Sequence, residues 1–159
     1  MPAAGLGEGD RGPQVAALEQ WLTALHYDVA VVDDLFDADT GFAVVAFQKV
    51  ANLPRTGRAT QDVVDALTTA TPPPPLVPDG GGNRIEVDLP RQVLFLYEGD
   101  ALARILPVST GSGERFCSDG DCRKAVTPVG AYRVGGRIPG WRESDLGRLY
   151  NPVYIDFKN

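Results

Sequence analysis

The sequence predicts an α + β chain of two domains, a small three-helix bundle followed by a mainly β partial domain. Three observations predict it. Apolar spacing is helical up to about residue 70 and alternates after residue 84. Between the two, residues 71–83 read Thr-Pro-Pro-Pro-Pro-Leu-Val-Pro-Asp-Gly-Gly-Gly-Asn, where prolines stiffen the backbone and glycines release it. The 159 residues, 43% apolar and 23% charged, suit one domain or two small ones and exclude disorder throughout. The expected division is 1–70 helical, 71–83 linker and 84–159 β. The linker should act as a hinge that proteases cut first.

The helices come first. Pro13 suits a first helical position, and Val15, Leu18, Leu22 and Leu25 follow on one stripe. Asp39 or Thr40 can cap a second helix carrying Val44, Phe47 and Val50 or Ala51. Thr60 can cap a third with Val63, Val64 and Leu67, which must stop before Pro72. About 70 residues is near the lower limit for an independent core.

The strands follow. Ile85, Val87 and Leu89 alternate with Arg84, Glu86 and Asp88, which predicts a strand with its charged face in water. Gln92 to Tyr97 is a more apolar, more buried run, and Glu98-Gly99-Asp100 is a turn signal. Ala101–Val108, Gly130–Val134 and Val153–Phe157 are further strand candidates.

Charge narrows the partners. Of the net −6, all falls in residues 1–75, with ten acids against four bases, while the remainder balances. That front half lacks the clustered Lys and Arg that a phosphate backbone needs, so nucleic acid is excluded as a partner. No apolar run approaches the ~20 residues of a membrane-spanning helix. Met1–Glu8 has neither the basic nor the apolar stretch of a signal peptide, which leaves the compartment open.

Gly9-Asp-Arg-Gly-Pro-Gln-Val-Ala-Ala-Leu-Glu-Gln-Trp-Leu, then Asp33-Asp-Leu-Phe-Asp, Thr40, Ala46-Phe47-Gln48, Leu53 and Gly57 form one pattern. It resembles the peptidoglycan-binding-domain-like family of three-helix modules over residues 5–70. Asp34 and Asp37 stand where that family usually has glycines, and His26 stands where a glycine usually precedes Tyr27. Phe36 and Phe47 are expected in the core. Tyr27, Asp33 and Asp34 are the candidates for a surface that meets sugar or peptide.

Leu106-Pro-Val-Ser-Thr-Gly111, Thr127-Pro-Val-Gly-Ala-Tyr132 and Ile138-Pro-Gly-Trp through Tyr154 form a second pattern. Residues 84–159 resemble the N-terminal part of an L,D-transpeptidase (YkuD-like) catalytic domain, the β-rich cysteine enzyme that cross-links bacterial peptidoglycan. The resemblance implies a Cys thiolate that attacks a stem-peptide carbonyl, a His that activates it, and backbone N–H groups that hold the oxyanion. Those groups belong to a His-Gly segment and a Ser-His-Gly-Cys motif, expected downstream of Val153–Phe157. Neither occurs before Asn159, and His26 is the single histidine. The sequence therefore reads as a transpeptidase cut before its active site, inactive as it stands, with no catalytic residue of its own. Trp141, Tyr150 and Tyr154 are the candidates for lining a stem-peptide cleft.

Cys117 and Cys122 share a short loop, Cys-Ser-Asp-Gly-Asp-Cys. No His base accompanies them and the adjacent acids raise thiol pKa, so neither is a good nucleophile. Two thiolates alone are too few for zinc. In an extracytoplasmic protein a disulfide is the preferred reading, with reduced, inert thiols next. Ser109 and Thr110 have no base, and Gly111-Ser-Gly113 lacks the lysine and helix of a phosphate loop. No cofactor and no metal is expected. The partner implied is peptidoglycan, at the cell wall, with self-association through an incomplete β domain. The rival reading is a non-enzymatic peptidoglycan-binding protein.

Overall fold

The computed structural model describes residues 5–118, 120–144 and 147–156. The chain packs as two units, Met1–Ser109 and Thr110–Asn159.

The first unit begins with α1 (Pro13–Ala24), α2 (Ala38–Val50) and α3 (Gln61–Leu67). Pro13 opens α1 behind Gly12, as its fixed φ favours. The α2 cap is Asp37, not Asp39 or Thr40: its backbone is extended and its carboxylate accepts the Thr40 N–H at 2.9 Å. A cap must lie outside the helix to reach the second or third free N–H, and Asp39 and Thr40 are already within it. Thr60 occupies the α3 cap position without a side-chain bond. Val15, Leu18, Leu22, Phe36, Val44, Phe47, Val63 and Leu67 are buried.

An antiparallel meander follows, β1 (Arg84–Asp88), β2 (Val93–Glu98) and β3 (Ala101–Pro107), in the order β1-β2-β3. Its inner face carries Val93, Phe95, Tyr97 and Ile105, which join the helical residues in a single apolar core. The chain after α1 adds to the open edge of β3. Ile105 N–H donates to the His26 carbonyl at 2.7 Å, Asp28 N–H donates to the Ile105 carbonyl at 3.2 Å, and Tyr27 pairs with Ile105 in parallel.

Two expectations need correction here. Residues 71–83 do not separate two cores, because the core is continuous from the helices into β1–β3; the segment is anchored by Leu76 N–H on Glu86 Oε2 at 2.7 Å. Nor does β1 turn its charged face to water: Glu86 and Asp88 are buried, whereas Ile85 and Val87 are exposed. The reversal is affordable because both carboxylates find partners. Arg84 Nε donates to Glu86 Oε1 at 2.7 Å, and Arg91 donates from its backbone and Nε to Asp88 at 2.9 and 2.6 Å. On the opposite face Val87 pairs with Leu94 and Ile85 with Leu96, an apolar ladder facing outward.

The second unit is built of two-stranded pieces. β4 (Arg115–Ser118) pairs with β5 (Asp121–Lys124), β7 (Trp141–Ser144) with β8 (Gly147–Tyr150), and β6 (Arg133–Arg137) with β9 (Val153–Asp156). The Cys117–Cys122 segment, expected as a loop, is thus a hairpin, and the strand expected at Gly130–Val134 starts later, at Arg133. The β7–β8 hairpin has no counterpart among the strands that the sequence pattern predicts. Phe157, the end of the expected last strand, lies outside the described residues, as does Asp119. None of the described residues of this unit is buried.

Candidate functional site

The apolar stripe of α1 contains an intruder. Glu19 lies beside Leu18, one turn from Val15 and Leu22, and is as buried as they are. Its Oε2 accepts from the backbone N–H groups of Asp33 and Asp34 at 3.1 and 3.2 Å, and its Oε1 from Thr40 Oγ1 at 2.8 Å. A buried carboxylate so saturated fixes the turn that leads into α2. Within that turn Asp34 adopts φ 70°, the left-handed conformation that Asp tolerates and glycine prefers. Asp33 Oδ1 accepts Leu35 N–H at 3.1 Å. Gln48 does for the next turn what Glu19 does here. Its amide donates to Thr56 Oγ1 and the Arg58 carbonyl, both at 3.0 Å, and accepts from Gly57 N–H at 3.0 Å.

Of the three residues expected to form a binding surface, Asp33 and Asp34 are exposed, but Tyr27 is not. Its ring is buried edge-on against Phe47, with centroids 5.5 Å apart, because residues 26–28 are drawn onto β3 as an added strand. Burial pushes its phenol well above the ordinary value of 10. Tyr27 is therefore a core residue and contributes no surface.

A groove runs between α2 and the end of β3. Asp39, Phe42, Val45 and Lys49 line it from one face of the helix, and Leu106 to Ser109 from the strand side, around a volume of about 550 Å³. Lys49 Nζ donates to the carbonyls of Gln92 and Val108, each at 3.0 Å. Its pKa is lowered, first by burial and then by the Arg55 charge. Asp28, also on the rim, holds Arg104 with both carboxylate oxygens at 3.1 and 3.0 Å. A smaller cavity of about 230 Å³ is lined by both residues of that pair together with His26, Val32 and Ala103 among others.

In the second unit the cleft candidates divide. Trp141 and Tyr150 face each other across β7–β8, ring centroids 5.1 Å apart, with the Arg148 guanidinium 4.7 Å over the Trp141 ring. Tyr154 belongs to the separate β6–β9 pair. All three rings are largely exposed. Cys117 and Cys122 stand opposite each other in the β4–β5 register and form a disulfide, Cα atoms 4.1 Å apart. Both cysteines of the sequence are consumed in it. Among the described residues no group of three or more His, Cys, Asp or Glu side chains gathers as a metal site, and no helix is long and apolar enough to cross a membrane.

Sequence reasoning passed over Glu19, Gln48, Phe42 and Lys49. The first two carried a readable signal, polar residues at positions where the helical repeat requires apolar ones. Phe42 and Lys49 carried none, since their groove needs a strand more than fifty residues away.

The chain resembles known proteins along both halves. A family model for a peptidoglycan binding domain matches residues 11–67, and one for the L,D-transpeptidase catalytic domain matches residues 82–157. The chain is 34% identical to a crystal structure of the L,D-transpeptidase from Xylanimonas cellulosilytica DSM 15894, over 98% of this chain and 76% of that one, with a TM-score of 0.88. A fused Zn-dependent amidase/peptidase/peptidoglycan-binding domain-containing protein from Clostridium acetobutylicum ATCC 824 matches at 19% identity and a TM-score of 0.41, over 83% of this chain and 69% of that one. No curated protein matches the chain.

Proposed function

The chain belongs to the L,D-transpeptidase family, and on that premise we propose that it is the wall-binding and substrate-approach part of an extracytoplasmic enzyme that cross-links peptidoglycan stem peptides through a cysteine acyl-enzyme. The observation that carries this reading is the likeness to one transpeptidase through both the helical and the β segments. In the proposed reaction a cysteine thiolate adds to the carbonyl that joins a diamino acid to D-alanine. The amide bond breaks, D-alanine leaves with a proton from a histidine, and a thioester remains. The amine of a second stem then attacks that thioester, and the thiol is released.

The nucleophile of that reaction is not Cys117 or Cys122, whose sulfurs are bonded to each other. Trp141, Tyr150 and Tyr154 are proposed to line the approach for the stem peptide, and Asp33 and Asp34 to lie on the wall-facing surface. A non-enzymatic wall-binding protein is the second reading, favoured by the same disulfide. The exposed apolar side chains of the second unit, Val134, Trp141, Leu149, Val153 and Ile155 among them, are expected to make the chain self-associate, which light scattering across a dilution series would detect or refute.

Two measurements test the proposal. The chain should sediment with insoluble peptidoglycan, and failure to do so would defeat both readings. Incubated with a carbapenem, the 159-residue chain should keep its mass, whereas the product of the coding sequence continued past codon 159 should gain one stoichiometric adduct. An adduct on Cys117 or Cys122 would overturn the assignment, and a stop codon at 160 would leave the non-enzymatic reading.

A further inference from the structure

α2 exposes an aromatic ring that the core does not use. Phe42 is 58% exposed, although Ala43, Val44, Ala46 and Phe47 around it are buried. It stands one turn after Asp39 and one before Val45 on the face that borders the groove to β3. At about 550 Å³ the groove falls within the range of sites for small organic ligands, about 300–1,000 Å³.

The charges along it select the ligand. Lys49 directs its ammonium to two carbonyls, and Asp28 is matched by Arg104. What the lining side chains offer a ligand is the Phe42 ring with the Asp39 carboxylate and the Ser109 hydroxyl. Lys49 keeps its charge and a third N–H, but two of its donors are committed to the Gln92 and Val108 carbonyls. An exposed aromatic face flanked by an acceptor and a hydroxyl suits a hydroxyl-rich ring, and the Asp39 charge beside Phe42 disfavours a peptide carboxylate there.

We propose that this groove binds the glycan strand of peptidoglycan, an N-acetylhexosamine unit laying its pyranose face on Phe42 and donating hydroxyls to Asp39, with Ser109 on the opposite wall. The proposal rests on the wall-binding reading above. It also makes the site composite. Asp39 and Phe42 belong to the segment that matches the peptidoglycan binding domain, and Ser109 to the segment that matches the catalytic domain. Neither segment alone has both walls.

The test uses the full 159-residue chain and two soluble probes, a β-1,4-linked N-acetylglucosamine tetrasaccharide and a free stem tetrapeptide, with binding followed by calorimetry. The tetrasaccharide should bind and the tetrapeptide should not compete. Phe42→Ala should weaken tetrasaccharide binding about tenfold without lowering Tm, since the ring lies outside the core, and Phe42→Trp should restore it. Ser109→Trp should fill the groove from the strand side and abolish binding. Equal affinity in wild type and Phe42→Ala, or preference for the tetrapeptide, would overturn the proposal. Unchanged binding by Ser109→Trp would overturn its composite character. If wild type sediments with whole peptidoglycan while these variants sediment equally well, the groove alone is refuted; if wild type does not sediment, the wall-binding reading falls with it.

Discussion

At the scale of single residues, two buried side chains decide how the helical part holds its turns. Replacing Glu19 with Ala would leave the N–H groups of Asp33 and Asp34 and the Thr40 hydroxyl without their acceptor. The expected loss is about 3 kcal/mol in chemical denaturation, with Glu19→Gln losing less because one acceptor oxygen survives. Tyr27 gives a pH dependence. Its phenol ionises near 10 when unfolded and well above that when folded. The folded state therefore holds the proton over a range in which the unfolded state has released it. Stability from Tyr27 is intact below pH ~10 and falls as pH rises above it, by up to about 1.4 kcal/mol per pH unit. Denaturation midpoints of Tyr27→Phe should fall less steeply between pH 10 and 11. The sequence placed Phe36 and Phe47 in the core and Tyr27 at the surface. Both judgements used the same kind of evidence, and they differ because Tyr27 is buried by a strand that is remote in sequence.

At the scale of elements, local pattern located the three helices and the three strands of the meander, because each has its period within its own residues. It failed where a partner strand decides the outcome. The alternation of β1 is real, but alternation does not say which face turns inward, and Arg84, Arg91 and the N–H of Leu76 reverse the usual choice by satisfying Glu86 and Asp88. The short hairpins β4–β5 and β7–β8 have too few residues and too many charges to display any period. Lys49 shows how one element secures another. Its ammonium bridges carbonyls at the start of β2 and just after β3, so it ties α2 to the sheet end. Lys49→Met keeps the stem and removes the donors, and is expected to lower stability by about 1–2 kcal/mol, measured by urea titration.

At the scale of the whole molecule, the boundary seen by family comparison and the boundary seen by packing fall at different places. The family segments meet between residues 67 and 82, whereas the packing units meet at Ser109 and Thr110. The Pro/Gly stretch could be recognised as a connector from composition alone; that it connects two halves of one core could not, because the contacts of Tyr27 and Phe47 with the strands are invisible to composition. A chain nicked within residues 79–83 should therefore stay together. Native size exclusion should show one species of unchanged size, and only denaturant should part the fragments; separation in buffer would refute a shared core. The same continuity restricts how such chains can be recombined. A helical module that closes its own core can be grafted onto any neighbour like a bead on a string, but one that completes itself with Val93, Phe95 and Ile105 must bring its host's first three strands with it. Inheritance in this chain would then act on the pair, with substitutions around Phe47 answered by substitutions in β2 and β3.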